Sequence, residues 1–569
     1  MNRRHFLKQS LTASGAALFA ASPLQIFLSQ VLSGFINRSA LAEDAYFSKA
    51  KNFTILMGGG PPRHLFDGIL RPNGNESSFS MGPNNLLGTH VDVNQNNLIT
   101  HKFQEFMGIH LPYLWSGKIP TSGGGSVDMT ELAKHFCGIR GLQSIDDHAQ
   151  GMDRQFVSSL GGYSLSGSFA DQSPHPFPAV GLGLNPKNHF KSKSGRPFTG
   201  VSDLSALFGT FNISADKFLT NNTKNYGIRM NSSSTEEAID QALVVLQSQS
   251  KVLKGRVPTT YQQRLIAKKL MKQDFSNVSE TYEILLLKYK NLIYRSFNDP
   301  ALRLEGADKL PIAGSKINSF EMAMHGHPKS YYTGKNLELE MLGEAITIPN
   351  LAEGMAIAEF MLTNGTNLGY TSSMDLIIGS AVTNSIISSI SLSESPQSNY
   401  PTSLITDVHE IGSIFSIFFF SRYYRAIAAC IHELCSVLKN ASVPGTTNDK
   451  LLNWASIGLT SEFGRSATQN YNGMGHGASG GVYSIFSGKI NGPMILGNIK
   501  TQGSLNSNVT WGEGAPIPAL SNQRITPGHV HSTIASLFGL SSPAPSLSSL
   551  MARDNKGKIV SAIGDPQNV

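Results

Sequence analysis

The chain has 569 residues, of which 40% are hydrophobic and 15% are charged. This balance is typical of a folded protein with a large core and excludes a disordered chain. The formal net charge is +7, but four basic residues and no acids lie in the first 42 positions, so the rest of the chain is only mildly basic. Lysine and arginine also form no run interleaved with aromatic residues, which argues against binding to nucleic acid.

The N-terminal residues predict an export signal. The run Arg3–Lys8 (Arg-Arg-His-Phe-Leu-Lys) resembles the twin-arginine motif, in which an arginine pair precedes an apolar pair and a lysine. A weakly hydrophobic stretch follows over about residues 11–36, and Ala40–Ala42 fits a small-x-small cleavage site. We therefore expect residues 1–42 to be a signal peptide recognised by the twin-arginine export machinery, which predicts a periplasmic or secreted bacterial protein.

Two alternatives stay open for this segment. The same residues could form an ordinary amphipathic first helix. An uncleaved signal would instead anchor the chain, because its apolar stretch is long enough to span a bilayer. A membrane is therefore expected as a partner only through an uncleaved signal segment.

Short apolar runs predict the strands of an α/β fold. Phe53–Met57 is typical of a buried strand that stops at the glycine-rich loop Gly58–Gly60. Phe136–Leu142 indicates a second strand and Trp454–Leu459 a third. We expect a largely parallel central sheet with flanking helices.

Helical patterns separate these runs. Glu236–Leu253 and Tyr282–Tyr294 carry apolar residues at three- and four-residue spacing, so residues 235–295 are a possible helical insertion. Arg422–Lys439 carries another apolar stripe. Thr526-Pro527 is typical of an N-cap followed by proline at the first helical position, and this helix is expected to run through Phe538.

These elements predict one α/β domain over residues 43–545, followed by a C-terminal tail over residues 546–569. The chain has three cysteines. Cys430 and Cys435 lie five residues apart on different faces of a predicted helix, so they should not form a disulfide with each other. We interpret Cys137 and these two residues as buried thiols.

Four residues between positions 407 and 476 form a candidate metal site. Asp407 and His409 are two apart, so their side chains point to the same side of an extended segment. Glu462 follows the third predicted strand, at the end where open α/β sheets bind ligands, and a glycine-rich loop then brings in His476. Oxygen and imidazole ligands together suit a divalent metal ion, here zinc, manganese or calcium.

The same residues also have structural interpretations. Glu462 could form an ion pair with Arg465, and His476 could face solvent. Arg465 could instead hold an anionic substrate through its planar guanidinium group. His64 and Asp67 follow the first predicted strand and are weaker candidates for the site.

The segment around Glu462 resembles a known family. Thr460–Arg465 (Thr-Ser-Glu-Phe-Gly-Arg), then Asn470, Gly473 and His476-Gly477, is similar to a segment of the family catalogued as domain of unknown function 1501. The usual pattern there is Ser-Glu-Phe-Gly-Arg, a variable stretch, and Gly-Thr-Asp-His-Gly.

Other segments resemble the same family less specifically. Asp407–His409 is similar to its Asp-x-His segment, Gly59–Pro61 to its opening Gly-Gly-Pro, and Arg140–His148 to its Arg-then-His segment. The resemblance covers most of residues 50–540, although its specific motifs lie between Asp407 and about residue 500.

This resemblance implies an alkaline-phosphatase-like fold, which sulfatases and cofactor-independent phosphoglycerate mutases share. Such proteins carry metal ligands at the carboxyl edge of a central sheet, and many hydrolyse phosphate or sulfate esters. By motif order, Asp407, His409 and His476 would bind one metal ion, and Glu462 would take the place of an aspartate ligand. Arg465 and His148 are the candidates for catalytic residues.

Three features depart from that pattern. Phe463 stands where relatives have a second ligand of the Glu462 pair. Gly475 replaces the aspartate that usually precedes this histidine, which removes a carboxylate that could bind metal or orient the imidazole. No serine or threonine is identified as a nucleophile, although Ser164 and Ser166 follow the Arg-then-His segment.

The sequence thus supports two functional hypotheses. The first is an exported metal-dependent hydrolase that acts on a small anionic phosphate or sulfate ester, where the metal ion lowers the pKa of a bound water. The alternative is a non-catalytic exported protein of the same fold that acts by binding in the cell envelope, as the three departures suggest.

Overall fold

The computed structural model describes residues 49–61, 78–81, 91–93, 99–158, 162–175, 177–184, 186–201, 278–298, 348, 350–363, 369–379, 381–383, 403–405, 413–443, 446, 448–470, 473–477, 479–500, 512–567 and 569. The predicted signal peptide, residues 1–42, and the predicted helix over residues 236–253 lie outside these ranges. Within them, no helix is both long and apolar enough to cross a membrane.

The strands are, in chain order, β1 (Lys51–Met57), β2 (Ser78–Met81), β3 (Val91–Val93), β4 (Ile99–Phe106), β5 (Ile109–Pro112), β6 (Lys118–Pro120), β7 (Ser126–Asp128), β8 (Phe136–Leu142), β9 (Phe177–Leu182), β10 (Phe198–Val201), β11 (Thr371–Ile378), β12 (Ala381–Thr383), β13 (Ser403–Ile405), β14 (Ala455–Ser461), β15 (Gly464–Asn470), β16 (Gly473–Gly477), β17 (Gly481–Phe486), β18 (Met494–Leu496), β19 (Met551–Arg553) and β20 (Ile559–Ser561). The α-helices are α1 (Tyr113–Ser116), α2 (Thr130–Ala133), α3 (His148–Phe156), α4 (Leu165–Asp171), α5 (Pro186–His189), α6 (Val278–Asn298), α7 (Leu351–Thr363), α8 (Ser413–Asn440) and α9 (Pro527–Leu537).

An eight-stranded sheet in the order β10-β9-β11-β1-β14-β17-β8-β18 forms the centre of the protein. Strand β17 is antiparallel to both of its neighbours, and every other neighbouring pair in this sheet is parallel. All strands except β17 therefore point the same way. The predicted α/β class with a largely parallel central sheet is confirmed.

Strand β1 lies in the middle of the sheet and is buried along its whole length. Its side chains alternate between the two faces. Phe53 and Ile55 belong to the main hydrophobic core, whereas Asn52 lies on the opposite face and donates to Thr54 Oγ1 (3.1 Å) and Ser373 Oγ (3.3 Å). The middle of the sheet thus has one apolar and one polar face.

Helices cover both faces of the sheet. Helices α6, α7 and α8 pack against one another, and their residues Tyr289, Met355 and Ile427 join the main core with Phe53. Helices α4 and α9 lie against the other face, where apolar side chains from both helices form a second core with β8 and β17. This layering is the usual way in which a parallel sheet is buried on both sides.

The predicted helices near the site are confirmed with small changes in their bounds. Helix α8 contains the predicted stripe Arg422–Lys439 and begins earlier, at Ser413. Helix α9 begins at Pro527 behind the N-cap Thr526. His529 completes the cap by accepting from the backbone N–H of Thr526 (3.2 Å).

Two segments are more firmly packed than the sequence suggests. The described part of the possible insertion, helix α6, lies between α7 and α8 and contributes Tyr289 and Leu292 to the main core. The expected C-terminal tail forms the β19–β20 hairpin, and its Leu550 and Ile559 belong to the second core. Helix α6 and the β19–β20 hairpin are therefore parts of the packed core.

The three cysteines are free and buried, as expected. Cys430 and Cys435 lie within α8, and Cys137 lies within β8. Burial raises the pKa of all three thiols, so they remain protonated in the core.

Candidate active site

Three parallel strands end at one edge of the sheet and bring the candidate residues together. Strand β1 ends in Gly58–Gly60, β14 runs directly into Glu462, and β8 leads through a short loop to His148 at the start of α3. The β15–β16 hairpin follows Glu462 and carries Arg465 and His476. Because carboxyl ends of parallel strands share an edge, this is where open α/β sheets bind ligands.

Glu462 and His148 form the first carboxylate–imidazole pair. The Nδ1 atom of His148 lies 2.6 Å from Glu462 Oε2, and the backbone N–H of Gly59 donates to Oε1 (2.9 Å). Glu462 is only 1% exposed, and this burial raises the pKa of its carboxyl, although the bonds from His148 and Gly59 act in the opposite direction. Both carboxyl oxygens are therefore held by protein groups.

His476 and Asp146 form a second pair of the same kind. The Nδ1 atom of His476 lies 2.6 Å from Asp146 Oδ1, and the side chain of Asp146 is 61% exposed. Asp146 precedes α3 by two residues, so one loop supplies both this carboxylate and His148. We call Asp146, His148, Glu462 and His476 the edge cluster.

The two imidazole rings of the edge cluster make an edge-to-face contact. The centroids of His148 and His476 are 4.9 Å apart and their planes are perpendicular. In each ring Nδ1 contacts a carboxylate, which leaves Nε2 as the nitrogen on the opposite side. A carboxylate at one nitrogen is the usual support for a histidine that binds metal or transfers a proton through the other.

Phe463 covers one side of the edge cluster. Its ring centroid lies 4.3 Å from that of His476 and 5.0 Å from that of His148. A Cβ atom added to Gly60 would lie 2.6 Å from Phe463 Cε2, and Gly60 has a φ of +57°. Only glycine therefore lets the loop after β1 approach this ring without strain.

Arg465 holds the same loop. Its side chain is fully buried, with Nε donating to Gly60 O (2.5 Å) and Nη2 donating to Gly59 O (2.7 Å). The guanidinium group also lies over the Phe463 ring, at 5.2 Å. Through these two hydrogen bonds Arg465 positions the loop that holds Glu462.

Four of the six residues selected from the sequence thus meet at this edge: His148, Glu462, Arg465 and His476. Asp407 and His409, the other two, lie outside the described residues, as do the weaker candidates His64 and Asp67. No pattern in the sequence assigns a role to Asp146. Its one available signal was its position two residues before His148, after a strand end.

Neither serine considered as a nucleophile lies at this edge. The hydroxyl of Ser164 accepts from Gly167 N–H as the N-cap of α4. The hydroxyl of Ser166 donates to the buried carboxyl of Asp375, on the polar face of the sheet. Both contacts are structural.

The described residues suit a metal ion in donor type but do not complete a ligand set. Imidazoles oriented by carboxylates are ligands that zinc or manganese accepts. Within the described ranges, however, no group of three or more His, Cys, Asp or Glu side chains is arranged to hold an ion. Glu462 fits the role of a carboxylate that orients His148 better than that of a ligand.

Comparisons with protein families, with curated proteins and with solved structures found no match for this chain.

Proposed function

We propose that the edge cluster is the active site of an exported hydrolase that cleaves a small phosphate or sulfate ester with the help of a divalent metal ion. The observation that carries this proposal is the meeting of two carboxylate-bound imidazoles, 4.9 Å apart, at the carboxyl edge of the sheet. The resemblance of the Glu462–His476 segment to the domain of unknown function 1501 family supports the same reaction class, and the twin-arginine motif supports export.

In this proposal His148 is the general base. Glu462 accepts the Nδ1 proton of His148, so Nε2 is left to take a proton from a water molecule. The water oxygen then attacks phosphorus or sulfur and the bond to the ester oxygen breaks. The leaving alkoxide takes up a proton from solvent, and His148 releases the proton it accepted to solvent. This direct displacement does not require a nucleophilic serine. Proton transfer by a positioned histidine raises the reaction rate on the order of 10²- to 10⁴-fold.

His476 would bind the metal ion together with Asp407 and His409, which lie outside the described residues. When bound, the ion would polarise an ester oxygen and lower the pKa of a water. The role of Asp146 is to hold Nδ1 of His476, so that Nε2 is the nitrogen that would bind the metal ion. Asp146, Asp147 and Glu462 make this edge acidic, and a bound cation would offset the repulsion between these carboxylates and an anionic ester.

One observation favours a binding protein without catalysis. The Phe463 ring packs against both imidazoles and the Arg465 guanidinium, where the implied relatives have a metal ligand. An apolar ring in that position would leave a site that recognises a ligand but lacks a second metal ion.

Turnover distinguishes these functions. The full chain, exported by a bacterial host, is assayed with aryl phosphates and aryl sulfates in the presence of zinc, manganese or calcium. We expect hydrolysis that His148→Gln reduces by about 100-fold or more. The matched control is His189→Gln, because the buried His189 forms the same type of pair with Asp153 (2.9 Å) on α3. Equal activity of the two variants, or no turnover of any ester, would exclude the catalytic proposal.

A further inference from the structure

Helix α3 contacts Glu462 at two positions and approaches it closely at a third, all on one face. His148 binds the Glu462 side chain (2.6 Å), and Gln155, two turns later, donates from Nε2 to the Glu462 carbonyl oxygen (3.3 Å). Between them lies Gly151, where an added Cβ would be 3.1 Å from the same carbonyl oxygen. Positions 148, 151 and 155 share a helical face, so one rigid helix holds both the backbone and the carboxylate of Glu462.

Gln155 is buried, and both its side chain and its backbone form hydrogen bonds. It is 1% exposed, and its side-chain oxygen accepts from Thr460 Oγ1 (3.1 Å). Its backbone oxygen lies 2.9 Å from Nε2 of the buried His531, which ties α3 to α9. The side-chain amide therefore bridges Thr460 and Glu462, on either side of the point where β14 ends.

A second donor supports the same carbonyl. The hydroxyl of Ser144, in the loop before α3, donates to Glu462 O (2.7 Å) and lies 3.5 Å from Gln155 Nε2. The Glu462 peptide is thus held at its carbonyl from two directions, while Gly59 N–H holds its carboxylate. Fixing the peptide matters because a small backbone rotation moves a side-chain carboxylate by more than the tolerance of a hydrogen bond.

We infer that Gln155 is a positioning residue that keeps the Glu462 carboxylate on Nδ1 of His148 and thereby fixes the Nδ1–H tautomer of that ring. The catalytic meaning of this role rests on the proposed function, since the Nδ1–H tautomer is the one that leaves Nε2 as the base. The tautomer itself does not depend on any activity. The tautomer of His148 and the hydrolytic activity are therefore tested by separate measurements.

The test is the ¹⁵N spectrum of the histidine rings in the full chain at about pH 9, where an ordinary imidazole is neutral. In the unaltered protein we expect His148 to carry its proton on Nδ1. Gln155→Met keeps the length of the side chain but removes both of its polar groups. We expect the Nδ1–H form of His148 to change from the major to the minor tautomer, because a neutral histidine ring without a partner at Nδ1 carries its proton mainly on Nε2.

Two controls belong to this experiment. Gln150→Met changes an exposed glutamine on the same helix and should leave the tautomer of His148 unaltered. His189 is an internal reference, because it binds Asp153 through Nε2 and should keep its own tautomer in every folded variant.

Thr460→Val provides a second variant in case Gln155→Met does not fold. It removes the hydroxyl that anchors Gln155 Oε1 and leaves the bond to Glu462 O in place, so a smaller fall in the Nδ1–H fraction is expected. A folded Gln155→Met protein in which His148 keeps its Nδ1–H tautomer would overturn the inference. If only Thr460→Val folds, an unchanged tautomer in that variant would overturn it.

Discussion

Asp146 binds Nδ1 of His476 at 2.6 Å, although the two residues are 330 positions apart in the sequence. The family pattern that this segment resembles has an aspartate immediately before the histidine, and this chain has Gly475 there. The loop after β8 thus supplies an orienting carboxylate that the local sequence lacks. Metal-ligating histidines usually have such a partner, so this pair is the strongest support for the proposal that His476 binds a metal ion.

The Asp146–His476 pair predicts an effect on metal affinity. Asp146→Asn keeps the shape of the side chain but removes the charge that holds His476 Nδ1, and we expect zinc to bind about 10- to 100-fold more weakly. Isothermal titration of the full chain measures this. Asp147→Asn is the control, because it changes the same charge one residue away and asparagine still caps α3. Equal zinc affinity of the two variants would remove Asp146 from the site.

Arg465 predicts a stability effect. Arg465→Met leaves the buried carbonyls of Gly59 and Gly60 without these donors, and we expect the free energy of unfolding to fall by about 3 kcal/mol. Arg465→Lys should recover part of the loss, since an ammonium group donates without the planar fork. Urea unfolding measures both, with Arg553→Met as the control at an exposed arginine that also donates to a backbone carbonyl.

An alanine at position 60 should clash with Phe463, and a second glycine with a similar φ allows the cost of this clash to be separated from backbone strain. Gly60→Ala brings a Cβ to 2.6 Å from Phe463 Cε2 at a φ of +57°, whereas Gly195→Ala has a similar φ of +69° with no atom within 4 Å. Both should lose about 1 kcal/mol from the left-handed backbone, and Gly60→Ala should lose more. Thermal unfolding of the two variants checks this. A Gly60→Ala protein no less stable than Gly195→Ala would contradict the close packing of the loop on Phe463.

Asp375 predicts a dependence of stability on pH. Burial raises the pKa of its carboxyl to about 7, although the hydrogen bonds from Ser166 and Thr54 lower it. Because the folded state holds this proton more tightly than the unfolded state does, the contribution to stability is present at low pH and is lost as the pH rises from about 4 to about 7.

Asp375→Asn should remove that dependence. The amide stays neutral and still accepts from Ser166, so above pH 7 the variant should be more stable than the unaltered chain, by about 4 kcal/mol at most. Near pH 4 the two proteins should be equally stable. Urea unfolding at both pH values measures the difference, and Asp565→Asn at an exposed position is the control. A constant difference between the two pH values would contradict the assignment.

The sequence predicted the elements of this fold better than their arrangement. Phe53–Met57 and Trp454–Leu459 were recognisable as strands because apolar, β-branched runs end at glycine or polar residues. The order of the strands was not recognisable, because pairing joins segments hundreds of residues apart. β1 lies between β11 and β14, and the antiparallel β17 separates β14 from β8.

The candidate site shows the same difference between local patterns, which the sequence reveals, and long-range contacts, which it does not. Glu462 and His476 were found because they share a short segment with a recognisable pattern. The contact between Glu462 and His148 spans 314 positions, and no local spacing predicts it. No sequence pattern indicates Gln155, because a glutamine on an amphipathic helix is usually exposed. The structure buries it because two polar groups at the end of β14 require partners.

The proposed function depends on the binding of a divalent metal ion by His476 at the carboxyl edge of the sheet, and an anomalous difference map detects such an ion without an assay of activity. Crystals of the zinc-loaded full chain are measured on both sides of the zinc absorption edge. We expect a peak about 2.1 Å from Nε2 of His476, with Asp407 or His409 as a further ligand. A zinc peak elsewhere in the chain, with none at His476, would contradict it.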